Sequence, residues 1–368
     1  MEPDGRAMTF AAAITGLGLI TPLGTSPGQT WNALLEGRAI FDHARISEIE
    51  EADRVLALSR TAARSAINQA RWSPEILSDP QTALVLGTSK GPIESWLRGP
   101  LASLSCGIGQ TAGALSSALQ MGAGIRLTYS AACASGLHAL IRGAMLLSAG
   151  EARRVLVVAA EASVHPLFIS SFSRLGVLAP DGFGCRPFDA SRRGFVMSEA
   201  AAAVCLELSE TAGGQAIAFM DRFALGGEAA HLTAGDPTGK NLRRLLDIVI
   251  DDRKVDLVHA HGTGTVVNDP VELSAIESVI ARVGGSPMLY SHKGALGHSL
   301  GASGLVSIVL NCFAHQTGAI PPNMHTRDPL PTCRVQINRQ GARLDIRRSI
   351  ALATGFGGPT AVVSLTSN

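Results

Sequence analysis

Three uninterrupted apolar runs limit what this chain can fold into: Thr82–Gly87, Arg154–Glu161 and Ala200–Glu207. A strand with one wet face alternates apolar and polar side chains. A run that is apolar at every position has to be covered on both faces. Stretches of helical spacing lie between the runs. One is expected over 50–69, with Val55, Leu58, Ala62, Ala66 and Ile67 on one side. Others are expected over 27–36, 111–121, 239–250 and 268–282, and from 297 to about 314. Central strands alternating with helices predict an α/β chain whose sheet is buried between helical layers.

Composition supports a large core. The chain has 368 residues, of which 46% are hydrophobic and only 17% charged, so a folded chain is expected. Net charge is +1, which gives no global reason to expect nucleic acid or an anionic membrane as partner. The six cysteines are scattered, with no C-x-x-C pair, and form neither a disulfide framework nor a zinc pattern. Cys205 and Cys312 sit in apolar stretches and read as core. A reduced, cytoplasmic protein is expected. The start, MEPDGRAMTF, lacks the layout of a signal peptide, and no apolar run approaches the roughly 18 residues of a membrane span.

Near Ser209–Gly214 the composition turns polar and glycine-rich. This is the expected boundary between two halves, residues 1–210 and 211–368. Strands are expected from Ala11 to Ile20 in the first half. In the second they are expected over Ile217–Leu225, Val255–Ala260, Met288–Ser291, Ser349–Thr354 and Thr360–Thr366. The order of elements suggests a duplication, although no letter-by-letter repeat is present.

Four places put a reactive residue where a strand meets a glycine-rich loop or a helix start. Cys133 lies among small residues in Thr128–Leu140, just ahead of a helix marked by Leu137, Leu140, Ile141, Ala144 and Met145. Unpaired N–H groups and the dipole at a helix start favour a thiolate, which attacks acyl thioesters. Read alone, the stretch favours Cys133 as a small buried residue, as most free cysteines are. The other places are His261-Gly-Thr-Gly-Thr265, Lys293 with His298, and Phe356 between glycines. Singly these read as a turn histidine, a loop charge, a helix cap and a hairpin turn. Together, one cysteine and two histidines in such loops are more specific, because strand ends are where α/β folds gather their chemistry. P-loop and dinucleotide patterns are absent. His261, Asp269 and Glu272 suggest a metal site only weakly, and no metal is expected.

The chain resembles the beta-ketoacyl-[acyl-carrier-protein] synthases, condensing enzymes of the thiolase-like superfamily. The motifs are Ser130-Ala-Ala-Cys133-Ala-Ser-Gly136, His261-Gly-Thr-Gly-Thr265 with Asn268-Asp269, Lys293-Gly-Ala-Leu-Gly-His298-Ser-Leu-Gly-Ala302 and Gly355-Phe-Gly-Gly358. Arg186-Pro-Phe-Asp189, Gly16-Leu-Gly18 and Thr21-Pro-Leu-Gly24 match further landmarks, in family order across almost the whole chain.

This resemblance implies a five-layer α/β/α/β/α fold with two duplicated halves. It implies decarboxylative Claisen condensation of a Cys133-bound acyl group with a malonyl thioester, giving a 3-ketoacyl product. His261 and His298 would promote decarboxylation and hold the enolate, and Lys293 would set the electrostatics. Phe356 would gate the cysteine, and the N–H groups of Cys133 and Phe356 would form the oxyanion hole. Thr263, Thr265, Gly357 and Gly358 would touch substrate. No cofactor is implied. An acyl carrier protein is the implied partner, with a second identical or related subunit. Arg60, Arg64 and Arg71 on the 50–69 helix are a weak docking surface, otherwise a solvated face.

Departures from the family pattern bear on substrate choice. The chain is trimmed after about Ile40 and after about Leu178, and Glu199 is followed by Ala200-Ala201-Ala202. Ser307 replaces a glutamate, and Pro359-Thr360 follows the Gly355–Gly358 loop. They leave two alternatives: an acyltransferase on the same fold that does not condense, and a non-catalytic partner subunit. Such subunits usually lack the cysteine that this chain has.

Overall fold

The computed structural model describes residues 12–51, 53–98, 107–212, 214–229, 231 and 235–367. In the first half the elements run β1 (Ala12–Ile20), α1 (Pro27–Leu35), α2 (Arg54–Ala70), α3 (Pro74–Ser78), β2 (Thr82–Gly87), α4 (Ile93–Arg98), α5 (Thr111–Ala118), β3 (Arg126–Tyr129), α6 (Ser135–Ser148), β4 (Arg154–Glu161), α7 (Pro166–Arg174) and β5 (Ala200–Leu208). The second half follows with β6 (Ala218–Gly226), α8 (Lys240–Ile250), β7 (Leu257–His259), α9 (Asn268–Val283), β8 (Met288–Tyr290), α10 (Lys293–Leu296), α11 (Ser303–Thr317), β9 (Ala319–Ile320), β10 (Gln336–Ile337), β11 (Ala342–Arg343), β12 (Arg348–Thr354) and β13 (Thr360–Thr366).

One sheet runs through the molecule in the order β10-β8-β7-β12-β13-β6-β1-β5-β4-β2-β3. Its two halves repeat one another. In the first, β2 lies parallel to β3 and β4, and β4-β5-β1 continue antiparallel. In the second, β7 lies parallel to β8 and β12, and β12-β13-β6 continue antiparallel. Five strands of each half therefore share one order and set of directions, with β10 added at the edge of the second, which is the duplication the order of elements suggested.

The apolar runs are buried as their composition requires: every residue of β2 is buried, and in β4 only Arg154 is partly exposed. Three cores separate the layers. The central one joins both sheet halves to α6 and α11. A second lies between the first sheet half, α2 and α5. A third lies between the second sheet half, α8 and α9. Helices, sheet, helices, sheet and helices thus stack as five layers.

Glycine lets the two central helices touch. A Cβ on Gly136 of α6 would stand 2.9 Å from the Leu305 nitrogen of α11. A Cβ on Gly304 of α11 would stand 2.7 Å from Leu137 Cγ of α6. Real Cβ atoms do not approach so closely, so only glycine at both positions permits this seam. The segments leading into α6 and α11 are drawn together as a result, and these carry Cys133 and His298.

Some expected boundaries are corrected. The helix expected from Glu50 begins at Arg54, because the Asp53 side chain accepts the Leu56 N–H at 2.9 Å and caps it. The acidic pair Glu50–Glu51 lies before that cap. The helix expected to Met121 stops at Ala118. On α2, Arg60 pairs with Glu51, and Arg64 and Arg71 are exposed. Cys205 and Cys312 are fully buried.

Candidate active site

The site is assembled across the two halves. Cys133 follows β3 and precedes α6, while His261 follows β7. Lys293 opens α10 after β8, and His298 precedes α11. Phe356 sits in the hairpin between β12 and β13. Cys133, His261, His298 and Phe356 line one cavity of about 310 Å³, with Thr263, Thr265 and Gly358. Gly357 is exposed and outside the lining, and Lys293 is buried behind it. The walls are apolar where Phe172, Leu175, Val177, Phe195, Val266 and Val267 stand. Sequence reasoning did not single out these wall residues.

Cys133 sits on a tight turn. The residue before it, Ala132, has φ 48°, in the left-handed region that costs an alanine about 1–2 kcal/mol. The Ser135 hydroxyl braces the turn, donating to the Ala132 carbonyl at 2.6 Å and accepting the Ala131 N–H at 2.9 Å. The β12–β13 hairpin presses on it as well: a Cβ on Gly355 would stand 2.9 Å from the Ala131 carbonyl oxygen.

The helix start does not make Cys133 a resting thiolate, contrary to the expectation from its position. Burial pushes the thiol up to about 11, although Lys293 and Lys90 pull it down. Desolvation outweighs the two nearby cations.

The His261 and His298 rings stand nearly perpendicular, 83° apart, with centroids 5.4 Å from one another. Burial and the Lys293 charge hold both well below the usual histidine range, so both are neutral at pH 7. A neutral imidazole has one N–H to donate. Phe195 packs edge-on against His298 at 5.0 Å. The His298 backbone is latched to the first half: its N–H donates to the Val196 carbonyl and its carbonyl accepts from Ser198 N–H.

Asp269 and Glu272, weighed above as metal ligands with His261, anchor backbone instead. Glu272 accepts the His261 and Gly262 N–H groups at 2.6 and 2.8 Å. Asp269 accepts from Phe188 and Gly264 N–H. The two carboxylates at the start of α9 thus hold the loop that carries His261. Lys293 donates to the His261 carbonyl from its Nζ. Burial lowers the Lys293 pKa, and the neighbouring Glu272 holds it up. Among the described residues, no group of three His, Cys, Asp or Glu side chains is placed to hold a metal ion. Among them too, no helix is long and apolar enough to cross a membrane.

Known proteins are similar to this chain along almost its whole length. Residues 39–212 match the family model for the beta-ketoacyl synthase N-terminal domain, and residues 219–327 match that for the C-terminal domain. A 3-oxoacyl-[acyl-carrier-protein] synthase 2 from Staphylococcus aureus is 26% identical, over 95% of this chain and 99% of its own length. One from Synechocystis is 27% identical over 94% and 95%. The solved ishigamide ketosynthase/chain length factor superposes with a TM-score of 0.88 at 27% identity, covering 98% of this chain and all of that one. The chain belongs to the beta-ketoacyl synthase family of condensing enzymes.

Proposed function

We propose that this chain joins an acyl group held on Cys133 to a malonyl thioester, with loss of CO2. The observation that carries the reading is the pair of buried, neutral histidines in the same cavity as the cysteine. Cys133 Sγ attacks the acyl thioester carbonyl. The carrier leaves as its thiol, taking up the proton that Cys133 gives up. N–H groups of Cys133 and Phe356 hold the oxyanion, as fixed donors best can. A malonyl thioester then enters and breaks its bond to CO2. Negative charge develops on its thioester oxygen, where His261 and His298 donate. Neutral donors suit this step, because an imidazolium would bind the starting carboxylate and oppose its loss. The enolate carbon attacks the acyl-Cys133 carbonyl, releasing a 3-ketoacyl thioester and the cysteine, which is reprotonated.

Lys293 ties the His261 carbonyl in place. Phe356 gates the cysteine, and Thr263, Thr265 and Gly358 meet the substrate within the cavity, with Gly357 at its exposed edge. The apolar walls suit an acyl chain. The carrier is an acyl carrier protein, in line with the names of the relatives. The unit is a dimer of this chain or a pair with a related subunit, working in the cytoplasm on fatty-acid or polyketide-like products. The halves are residues 1–210 and 211–368, a division supported by their matching strand order.

The test is intact-protein mass spectrometry with a panel of acyl-carrier thioesters, followed by carboxyl-labelled malonyl carrier. An acyl adduct on the wild type that is absent from Cys133→Ala, then labelled CO2 and a 3-ketoacyl product, is expected. An adduct with no CO2 would identify simple acyl transfer. No adduct from any donor would overturn the reading.

A further inference from the structure

Behind the cavity lies a second set of buried histidines with no part in the chemistry above. His259 closes β7, two residues before His261, and His292 immediately precedes Lys293. Both are essentially inaccessible. His259 Nε2 lies 2.9 Å from His292 Nδ1, and His259 Nδ1 lies 2.7 Å from Asn311 Oδ1. Asn311 Nδ2 reaches the Ser349 hydroxyl at 3.2 Å, and Ser349 Oγ lies 2.9 Å from His315 Nε2. His315 Nδ1 lies 2.9 Å from the Ile346 carbonyl oxygen. At the other end the Ser303 hydroxyl lies 3.2 Å from His292 Nε2. Ser303, Ser307, Asn311 and His315 recur every four residues, a polar stripe along α11, whose other residues from Gly304 to Ala314 are apolar.

The direction of this chain is determined at its outer end. A carbonyl oxygen only accepts, so His315 Nδ1 carries the hydrogen. In a neutral ring Nε2 must then accept, from the Ser349 hydroxyl. Ser349 Oγ is left to accept the Asn311 amide, which turns Asn311 Oδ1 toward His259. His259 Nδ1 donates to it, so His259 Nε2 accepts from His292 Nδ1. His292 Nε2 finally accepts the Ser303 hydroxyl. Ser307 Oγ, 3.4 Å from His292 Nδ1, is a weaker second acceptor. Every group is satisfied in one orientation only. Burial keeps the three rings neutral: it lowers His259 to about 3 and depresses His292 and His315.

We propose that this chain, from Ser303 through His292, His259, Asn311, Ser349 and His315, is a positioning network that clamps β7 to β8 and so sets His261 against Lys293. It rests on the roles given to those two residues above. It holds groups in place and does not conduct protons, because the Asn311 amide interrupts any relay of N–H hydrogens. Its signature is that His259, His292 and His315 are all Nδ1–H tautomers, the minor form of free imidazole.

The test has two readouts. Long-range 15N–1H correlation spectra of histidine-labelled wild-type protein report each tautomer, assigned by the loss of signals in His259→Asn, His292→Asn and His315→Asn. Three Nδ1–H rings are expected, and an Nε2–H ring at His259 or His292 would overturn the network. This readout stands whether or not the protein condenses acyl groups. The second is kinetic. Ser349→Ala cuts the chain far from the cavity and His292→Gln moves the donor. Each should lower kcat for malonyl decarboxylation about 10- to 100-fold. KM and Cys133 acylation should stay within about twofold. His292→Asn, whose amide N–H can stand where Nδ1–H stood, should recover most of the rate. Unchanged kcat in both Ser349→Ala and His292→Gln would overturn the positioning role. Failure of wild-type protein to release CO2 would count against the condensation reading alone.

Discussion

The two halves of the molecule share a frame and divide the chemistry. In each, the third strand leads toward a glycine-bearing central helix: β3 toward α6, and β8 through α10 toward α11. The first half places Cys133 ahead of its helix, and the second places His298. The connections after the fourth strand differ more. From β4 to β5 the chain runs through α7 and the segment carrying Phe195, whereas β12 and β13 are joined by a tight turn around Phe356. The long connection of the first half latches both histidine loops. Gly194 N–H donates to the Gly264 carbonyl, and the Val196 carbonyl accepts from His298 N–H. The short turn of the second half presses on the Cys133 turn. Each half therefore holds the other's reactive residue, so neither site is complete on its own.

The strongest way to break this division is at the nucleophile. Cys133→Ala should abolish the acyl adduct and lower condensation about 1000-fold or more, read by mass spectrometry and product formation. His261→Ala and His298→Ala strike the other half. They should lower decarboxylation by about 100- to 1000-fold while acylation of Cys133 survives, measured as labelled CO2 against adduct mass. Equal loss of both steps would mean that the halves do not divide the work.

Smaller effects sharpen the comparison. Gly136→Ala forces a methyl into the α6–α11 seam and should cost about 1–3 kcal/mol, seen as a lowered Tm. The same substitution at Gly28, where a Cβ meets nothing within 4 Å, should leave Tm almost unchanged. Both halves carry groups that respond to pH, and burial lowers His43 and His138 of the first half too. Burial pushes the Cys133 thiol up to about 11, so its alkylation by iodoacetamide should rise about tenfold per unit from pH 7 to 9. A plateau below pH 8 would count against a neutral thiol. The second half carries histidines whose folded values lie below the ordinary 6.5, His259 at about 3. The unfolded chain then binds more protons between those values, so stability falls as pH drops from 6.5 toward 3. The slope is up to about 1.4 kcal/mol per pH unit for each histidine. Urea unfolding of His259→Asn should show a shallower fall than wild type.

Much of this was legible in the sequence because burial on both faces leaves an unbroken apolar run. The limits of β2 and β4 coincide with those runs, and β5 extends one residue past its own, to Leu208. β3 was not read as a strand, because Arg126–Tyr129 is short and every residue in it is half-exposed at the sheet edge. Motifs brought out the reactive residues, and the cavity gathers Cys133, His261, His298 and Phe356. The supports were less visible. Glu272 and Asp269 suggested ligands only weakly and their anchoring role went unread, since a sequence does not show which backbone N–H groups a carboxylate will meet. The Ser303–His315 stripe was readable by its spacing of four. Its meaning depends on β7, β8 and β12 lying beside it, and only the tertiary fold provides that.

The left-handed backbone at Ala132 has a consequence for how the protein fails. Left to itself an alanine there relaxes, and what prevents it is the Ser135 brace and the Gly355 turn from the opposite half. Heat that loosens the meeting of the halves should let this turn relax while both cores are still packed. Catalytic death should then run ahead of melting, and cooling before the cores open should restore activity in full.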